Sequence, residues 1–142
     1  MTPILLIIEG DNAVCHLLET VLTAAGYTVL TNPPHENIRQ NTAMRPALAF
    51  LDLCTPPPQQ VQQWINWLQE KPTIPWIALI DGRLSEEMDW HSLAQSMGAI
   101  HLLHKPFRTN VLRDLCRQHI PTSEHPQDSG SGAIASTEED RR

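Results

Sequence analysis

The sequence predicts an α/β domain in which five strand–helix units build a parallel sheet covered by helices on both faces. Short, wholly apolar runs such as "PILLII" (residues 3–8) are typical of strands buried on both faces of a parallel sheet. Segments with apolar residues at helical spacing alternate with these runs along the chain. Because the connections are short and crossovers between parallel strands are right-handed, this alternation favours a helix-covered parallel sheet.

The first unit shows the pattern most clearly. The run at residues 3–8 predicts strand one, and an amphipathic helix follows "EGDN". Asp11 or Asn12 is a suitable N-cap for this helix, and Gly26 is a suitable residue to end it. The apolar residues at helical spacing are Val14, Leu17, Leu18, Val21 and Leu22.

Four more strands and four more helices complete the prediction. The strands are "YTVL" (residues 27–30), "ALAFLD" (47–52), "WIALI" (76–80) and "IHLL" (100–103). The helix after strand two, over residues 35–42, has the weakest pattern. The other three are marked by Val61, Trp64, Ile65 and Leu68, then by Met88, Leu93, Ala94 and Met97 before Gly98, and finally by Val111, Leu112 and Leu115.

Length and composition predict one folded domain and a tail. The chain has 142 residues and is 41% hydrophobic, enough for one sizeable core. Residues 1–120 are expected to form this domain. Residues 121–142 are polar, rich in Gly, Ser and Pro, and hold one large aliphatic side chain, Ile134. Such a segment cannot bury enough apolar surface to offset the entropy of ordering, so it is predicted to be a disordered tail or linker.

Charge and cysteine content exclude several classes of function. The net charge is −6, and residues 1–120 have eight basic and eleven acidic side chains, which gives −3. A nucleic acid is therefore not an expected direct partner of this domain, since phosphate binding needs a basic surface. Three widely spaced cysteines fit neither a disulfide framework nor a zinc site, which favours a cytoplasmic location. No segment resembles a signal peptide or a membrane span.

Charged residues follow the predicted strand ends, where open α/β sheets bind ligands. Asp52 ends a buried strand immediately before the turn-forming "TPPP", so its carboxylate is expected to face this crevice. A carboxylate there can attack phosphorus if cations neutralise the incoming charge, and Lys105 and a magnesium ion could supply that charge. The residues at these strand ends are Glu9, Gly10, Asp11, Asp52, Ile80, Asp81, Gly82, His104, Lys105 and Pro106.

Three segments resemble, in order and spacing, the receiver domain of bacterial two-component response regulators, which is CheY-like. They are "ILLIIEGDNAVCHLLETVLTAAGYTVLT", "PALAFLDLCTPPP" and "HKPF", and the resemblance spans residues 3 to about 119. It implies a flavodoxin-like fold with strand order 2-1-3-4-5. It also implies that a histidine kinase donates phosphate to Asp52, that Lys105 contacts the phosphoryl group, and that the Lys105–Pro106 bond is cis.

The same resemblance implies a magnesium site, and this chain departs from the family there. The implied ligands are Glu9, Asp52 and the backbone carbonyl of Cys54, with Asp11 as a further candidate. The family's second acid after strand one is replaced by Gly10, so magnesium binding is expected to be weak or absent. The hydroxyl residue at the end of strand four is Ile80, and the aromatic residue three positions before Lys105 is Leu102.

Two hypotheses of function follow, and neither is an enzyme with a diffusible substrate. In the first, Asp52 of an atypical receiver domain accepts phosphate from a histidine kinase in a phosphorelay, with impaired magnesium assistance. In the second, the chain is a phosphorylation-independent pseudo-receiver that acts as a protein–protein interaction module. The expected partners are a histidine kinase or another signalling protein, and a homodimer is a further prediction. Asp11 or Asp81 is expected to pair with Lys105 or to bind a displaced metal ion.

Overall fold

The computed structural model describes residues 2–40, 45–70, 72–82 and 89–120, without the side chains of residues 39 and 40. The described residues contain one sheet of five parallel strands in the order β2-β1-β3-β4-β5. The predicted fold class and strand order are therefore confirmed. The strands are β1 (Ile4–Ile8), β2 (Thr28–Thr31), β3 (Leu48–Asp52), β4 (Trp76–Asp81) and β5 (His101–Lys105).

In the part of the chain that the structure describes, five helices alternate with the strands, as the spacing of apolar residues predicts. The predicted ends of the second helix, at Thr42, and of the fourth, at Met88, lie outside the described residues, as does the predicted tail at residues 121–142. Within the described residues, no helix is long and apolar enough to cross a membrane. The helices are α1 (Asn12–Ala24), α2 (His35–Gln40), α3 (Pro58–Leu68), α4 (Trp90–Ser96) and α5 (Thr109–His119).

The sheet separates two apolar layers, because alternate residues of each strand face opposite sides. Leu5 and Ile7 of β1 pack in the layer covered by α1 and α5, together with Leu18 and Leu112. The intervening residues of β1 pack in the other layer, which α2, α3 and α4 cover. Burying each leucine or isoleucine contributes roughly 1.5–3 kcal/mol, so these two layers are the main source of stability.

Helix α1 begins directly after its capping residue, Asp11. The Asp11 carboxylate accepts hydrogen bonds from the N–H groups of Ala13 and Val14, which confirms Asp11 as the N-cap. Gly26, two residues after the helix, has φ +103°, a conformation that favours glycine. Apolar residues at the edge of the predicted helix faces, Leu17 and Val111, remain exposed because they flank the stripe that contacts the sheet.

Candidate functional site

The carboxyl ends of β1, β3 and β5 bring three charged side chains to one edge of the sheet. Glu9 directly follows β1, Asp52 is the last residue of β3, and Lys105 is the last residue of β5. β1 pairs directly with β3, whereas β4 lies between β3 and β5. The long side chain of Lys105 therefore crosses the end of β4 to reach both carboxylates. The peptide bond between Lys105 and Pro106 is cis, as predicted.

Lys105 is an ion-pair partner of both carboxylates. Its Nζ lies 3.2 Å from Oε1 and 3.1 Å from Oε2 of Glu9, and 3.5 Å from Oδ1 of Asp52. The side chains of Glu9 and Asp52 are 0% exposed, and that of Lys105 is 12% exposed. The predicted neighbours Asp52 and Lys105 are thus brought together, and Glu9 joins them.

Backbone N–H groups occupy both oxygens of Asp52. Its Oδ1 accepts hydrogen bonds from the N–H of Cys54 at 2.9 Å and of Thr55 at 3.3 Å. Its Oδ2 accepts from the N–H of Gly10 at 3.1 Å. The turn after β3 therefore folds back over the carboxylate, so that Asp52 lies beneath the surface instead of facing an open crevice as predicted.

Gly10 and Thr55 are in close contact above Asp52. A Cβ atom on Gly10 would lie 2.7 Å from Cβ of Thr55, closer still to its Cγ2, and 3.6 Å from Oδ2 of Asp52. Real Cβ atoms essentially never approach another heavy atom within 3.0 Å. Position 10 therefore accepts only glycine unless the turn at Thr55 moves.

Asn32 fixes the backbone of Glu9, a role that the sequence analysis missed. Its side-chain oxygen accepts from the Glu9 N–H at 2.9 Å, and its side-chain NH₂ donates to the Glu9 carbonyl at 3.0 Å. Asn32 has φ +45°, which asparagine tolerates better than most residues. The position of this asparagine directly after strand two, in "TNPP", is the sequence feature that could have predicted its role.

The two carboxyl groups share one ammonium, and their environments separate their pKa values. Burial, reinforced by the charge of Asp52, raises the pKa of Glu9 from 4.5 to about 7, although the Asp11 N–H and Lys105 oppose this. Burial also disfavours the charged form of Asp52, but hydrogen bonds from the backbone N–H groups of Cys54 and Gly10 and from the Thr55 side chain outweigh it and lower the pKa of Asp52 below 3.8. Asp52 therefore holds the negative charge, and Glu9 is the group that takes up a proton.

Lys105 keeps its positive charge within the same cluster. Burial alone would lower the pKa of Lys105, but the nearby charges of Glu9 and Asp52 raise it above 10.5. When Glu9 is protonated, one ammonium and one carboxylate leave the cluster neutral. The protein thus neutralises Asp52 with its own side chain.

The arrangement does not fit magnesium, which requires oxygen ligands in near-octahedral geometry. The oxygens of Asp52 face three N–H groups, those of Glu9 face Lys105, and Oε2 of Glu9 also accepts from the Asp11 N–H at 2.9 Å. The Asp11 carboxylate caps α1. Within the described ranges, no group of three His, Cys, Asp or Glu side chains could hold a metal ion. Glu9, Asp52, Cys54 and Asp11 remain predicted ligands only.

At the two other positions that depart from the family pattern, an apolar side chain packs within the protein. Ile80, where the family has a hydroxyl, is fully buried within β4. Leu102, at the position of the aromatic residue, is partly buried and packs against the core layer that contains α3 and α4. Neither side chain can donate a hydrogen bond to a group on Asp52.

Comparisons with known proteins point to one kind of domain. The chain is similar to the N-terminal domain of the nisin resistance regulator NsrR, a lantibiotic response regulator, with a TM-score of 0.69 and 27% identity over 85% of this chain and 100% of that one. A response regulator receiver protein from Burkholderia phymatum matches with a TM-score of 0.69 and 19% identity over 81% and 93% of the two chains. A CheY-like receiver domain protein from Methanospirillum hungatei JF-1 matches with a TM-score of 0.67 and 16% identity over 83% and 93%.

These likenesses rest on structure, because neither family models nor curated proteins match the sequence. The chain has the fold of response regulator receiver domains, and it covers nearly the whole length of the receiver structures to which it is similar. The receiver-domain resemblance predicted from the three sequence segments is confirmed.

Proposed function

We propose that this chain is an atypical receiver domain that acts in two-component signalling as a protein–protein interaction module, without needing phosphorylation of Asp52. The observation that carries this proposal is the state of the Asp52 carboxylate. It is fully buried, accepts three backbone hydrogen bonds and is neutralised by Lys105. This is the second of the two hypotheses from the sequence, and the site geometry favours it over the first.

Phosphoryl transfer to Asp52 depends on how accessible its carboxylate oxygens are. A nucleophilic carboxylate oxygen must be free to approach phosphorus in line with the leaving group. Here each oxygen of Asp52 is hydrogen-bonded, and hydrogen bonds to charged groups contribute about 1.5–3 kcal/mol each. Freeing even one oxygen therefore has a substantial cost. The incoming phosphoryl charge would also meet the carboxyl group of Glu9, with Lys105 already engaged.

Phosphorylation of Asp52 is the second candidate, and specific observations favour it too. Asp52, Lys105 and the cis bond before Pro106 occupy the positions that the family resemblance implies. In this case a histidine kinase would be the donor, Asp52 the acceptor and Lys105 the cation beside the phosphoryl group. Such a site would work with weak magnesium assistance, because Gly10 replaces the second acid.

Under either candidate, we infer that the chain is not an enzyme with a diffusible substrate. Its expected partner is a histidine kinase or another signalling protein in the cytoplasm, and a homodimer remains a prediction. All three cysteines, Cys15, Cys54 and Cys116, are free thiols, which agrees with the cytoplasmic prediction.

A phosphorylation assay distinguishes the two candidates. The protein is incubated with acetyl phosphate over a series of magnesium concentrations and then analysed by intact mass. We expect no added phosphoryl mass in the wild-type chain, and the same partner-binding affinity for the wild type and Asp52→Asn. Asp114→Asn, at a partly exposed position in α5, is the matched control for acyl phosphate formed elsewhere. An added mass that Asp52→Asn removes and Asp114→Asn retains would overturn the interaction-module proposal.

A further inference from the structure

We propose that Thr55 closes the Asp52 site, because its side chain fills the space that an acidic side chain at position 10 would need. This inference rests on the proposed function, since it identifies what keeps Asp52 closed. It assigns to Thr55 a specificity-determining role: excluding a divalent cation and a phosphodonor from Asp52. Two features then distinguish this site from the family pattern: glycine in place of the acid at position 10, and the Thr55 side chain packed against that glycine.

Rotation of the Thr55 side chain cannot open the space. Turning χ1 would move Cγ2 away from position 10, but Cβ stays in place, and a Cβ on residue 10 would still lie 2.7 Å from it. Thr55 is also β-branched, so its χ1 rotamers are restricted. An acid at position 10 therefore requires a shift of the Thr55 backbone or the removal of its side chain.

The Thr55 backbone is held in place by the carboxylate that it covers. Its N–H donates to Oδ1 of Asp52 at 3.3 Å, beside the hydrogen bond from Cys54 at 2.9 Å. Pro56 follows, and its ring restricts the conformation that Thr55 can adopt. Moving Thr55 away from Gly10 would thus break part of the hydrogen-bonding shell of Asp52. The position of the Thr55 turn therefore requires glycine at position 10.

The cover over Asp52 is only one residue thick. Thr55 and Gly10 are themselves exposed, whereas Asp52 directly beneath them is 0% exposed. Removing the Thr55 side chain should therefore admit solvent to Asp52 without disturbing either core layer. This makes the proposal testable with small substitutions at the surface.

The first test compares magnesium binding in variants with an acid at position 10. Isothermal titration with MgCl₂ is carried out on Gly10→Asp, on Gly10→Asp/Thr55→Gly, and on Gly10→Asp/Thr55→Val. Valine keeps the Cβ and a γ-methyl group of threonine but removes the hydroxyl, so it is the matched control for bulk. We expect the Thr55→Gly double variant to bind magnesium at least about tenfold more tightly than the other two, because only there has the carboxylate introduced at position 10 room to be oriented toward the ion, and the groups that orient metal ligands alter affinity about 10–100-fold.

Thermal unfolding of the same variants gives a second readout. Gly10→Asp alone should lower Tm by roughly 5 °C or more, because it overpacks the contact with Thr55. Thr55→Gly should recover part of this loss in the double variant, and Thr55→Val should not. Equal Tm values and equal magnesium affinities for Gly10→Asp and its Thr55→Gly double variant would overturn the proposal.

A third measurement needs no change at position 10, so it can still be made if Gly10→Asp fails to fold. Wild type, Thr55→Val and Thr55→Gly are treated with a water-soluble carbodiimide and an amine, and coupling to Asp52 is measured by peptide mass. We expect Asp52 to react several-fold faster in Thr55→Gly than in the other two proteins. Equal rates in all three would overturn the role of Thr55. Phosphorylation of wild-type Asp52 would instead overturn the proposed function and the exclusion of a phosphodonor, whereas the magnesium and carbodiimide comparisons test the packing role of Thr55 separately.

Discussion

Replacing Lys105 by methionine removes the ammonium that neutralises the buried carboxyl pair while keeping most of the side-chain volume. Its Nζ lies within 3.2 Å of both oxygens of Glu9 and 3.5 Å from Asp52, and the side chains of both acids are 0% exposed. Removing one member of a buried ion pair typically costs roughly 3–5 kcal/mol, because it leaves an uncompensated buried charge. We expect a loss of this size at neutral pH.

Urea unfolding followed by circular dichroism measures this loss. With a slope of about 1–3 kcal/mol per molar urea, a loss of this size lowers the unfolding midpoint by roughly 1–5 M. The matched control is Arg117→Met, which breaks the 3.5 Å pair with Asp114, whose side chains are 51% and 40% exposed. Exposed pairs contribute only about 0–1 kcal/mol, so the control should unfold near the wild-type midpoint.

The pH dependence of the Lys105→Met variant separates lost charge from lost packing. At mildly acidic pH Glu9 takes up a proton, which leaves one buried carboxylate instead of two, so the deficit relative to wild type should shrink. A packing defect would be the same at every pH. A loss of stability no larger than that of Arg117→Met, or one that does not change with pH, would show that Lys105 does not neutralise a buried charge.

Two further predictions concern Glu9 and Asp11. Because burial raises the pKa of Glu9 from 4.5 to about 7, its contribution to stability is fully present below about pH 4.5 and is lost as the pH rises through 7. This loss amounts to about 3 kcal/mol. Glu9→Gln should reduce the fall in the urea unfolding midpoint between about pH 5 and about pH 8, because glutamine does not ionise. An unchanged pH dependence of the midpoint would assign the loss to other groups. Asp11→Ala removes the N-cap of α1 and should lower the free energy of unfolding by about 1 kcal/mol without changing that slope, whereas no loss in urea unfolding would contradict the capping role.

The fold could be predicted because its signals are local. Wholly apolar runs such as residues 4–8 indicated strands buried on both faces, and Asp11 marked the start of α1. The order of the strands needed more than local pattern, since periodicity does not specify which strands pair; the resemblance to receiver domains supplied it. Residues at the borders of helix faces, such as Leu17, were less predictable because exposure depends on how far the neighbouring layer extends.

The sequence could predict which residues form the candidate site, but not how the turn after β3 is arranged around Asp52. Parallel strands place their carboxyl ends together, so position alone was enough to bring Asp52 and Lys105 to one edge. The closing of the turn over Asp52 depends on backbone hydrogen bonds from residues 54 and 55, which no spacing rule encodes. The contact between Gly10 and Thr55 joins residues 45 positions apart in sequence, so only three-dimensional placement could identify it.

The net charge of the site explains why its departures from the family pattern occur together. Two acids and one ammonium become neutral with a single proton on Glu9. A third acid at position 10 would give a charge of −2 when all three acids are ionised, and a dication would balance it. Without that acid, Lys105 is sufficient, and the turn can close directly on Asp52. A hydroxyl in place of Ile80 would then be buried without a phosphoryl acceptor, at a cost of about 1–3 kcal/mol. Under the proposed function, in which Asp52 need not be phosphorylated, an apolar side chain at position 80 of β4 is therefore the more stable choice.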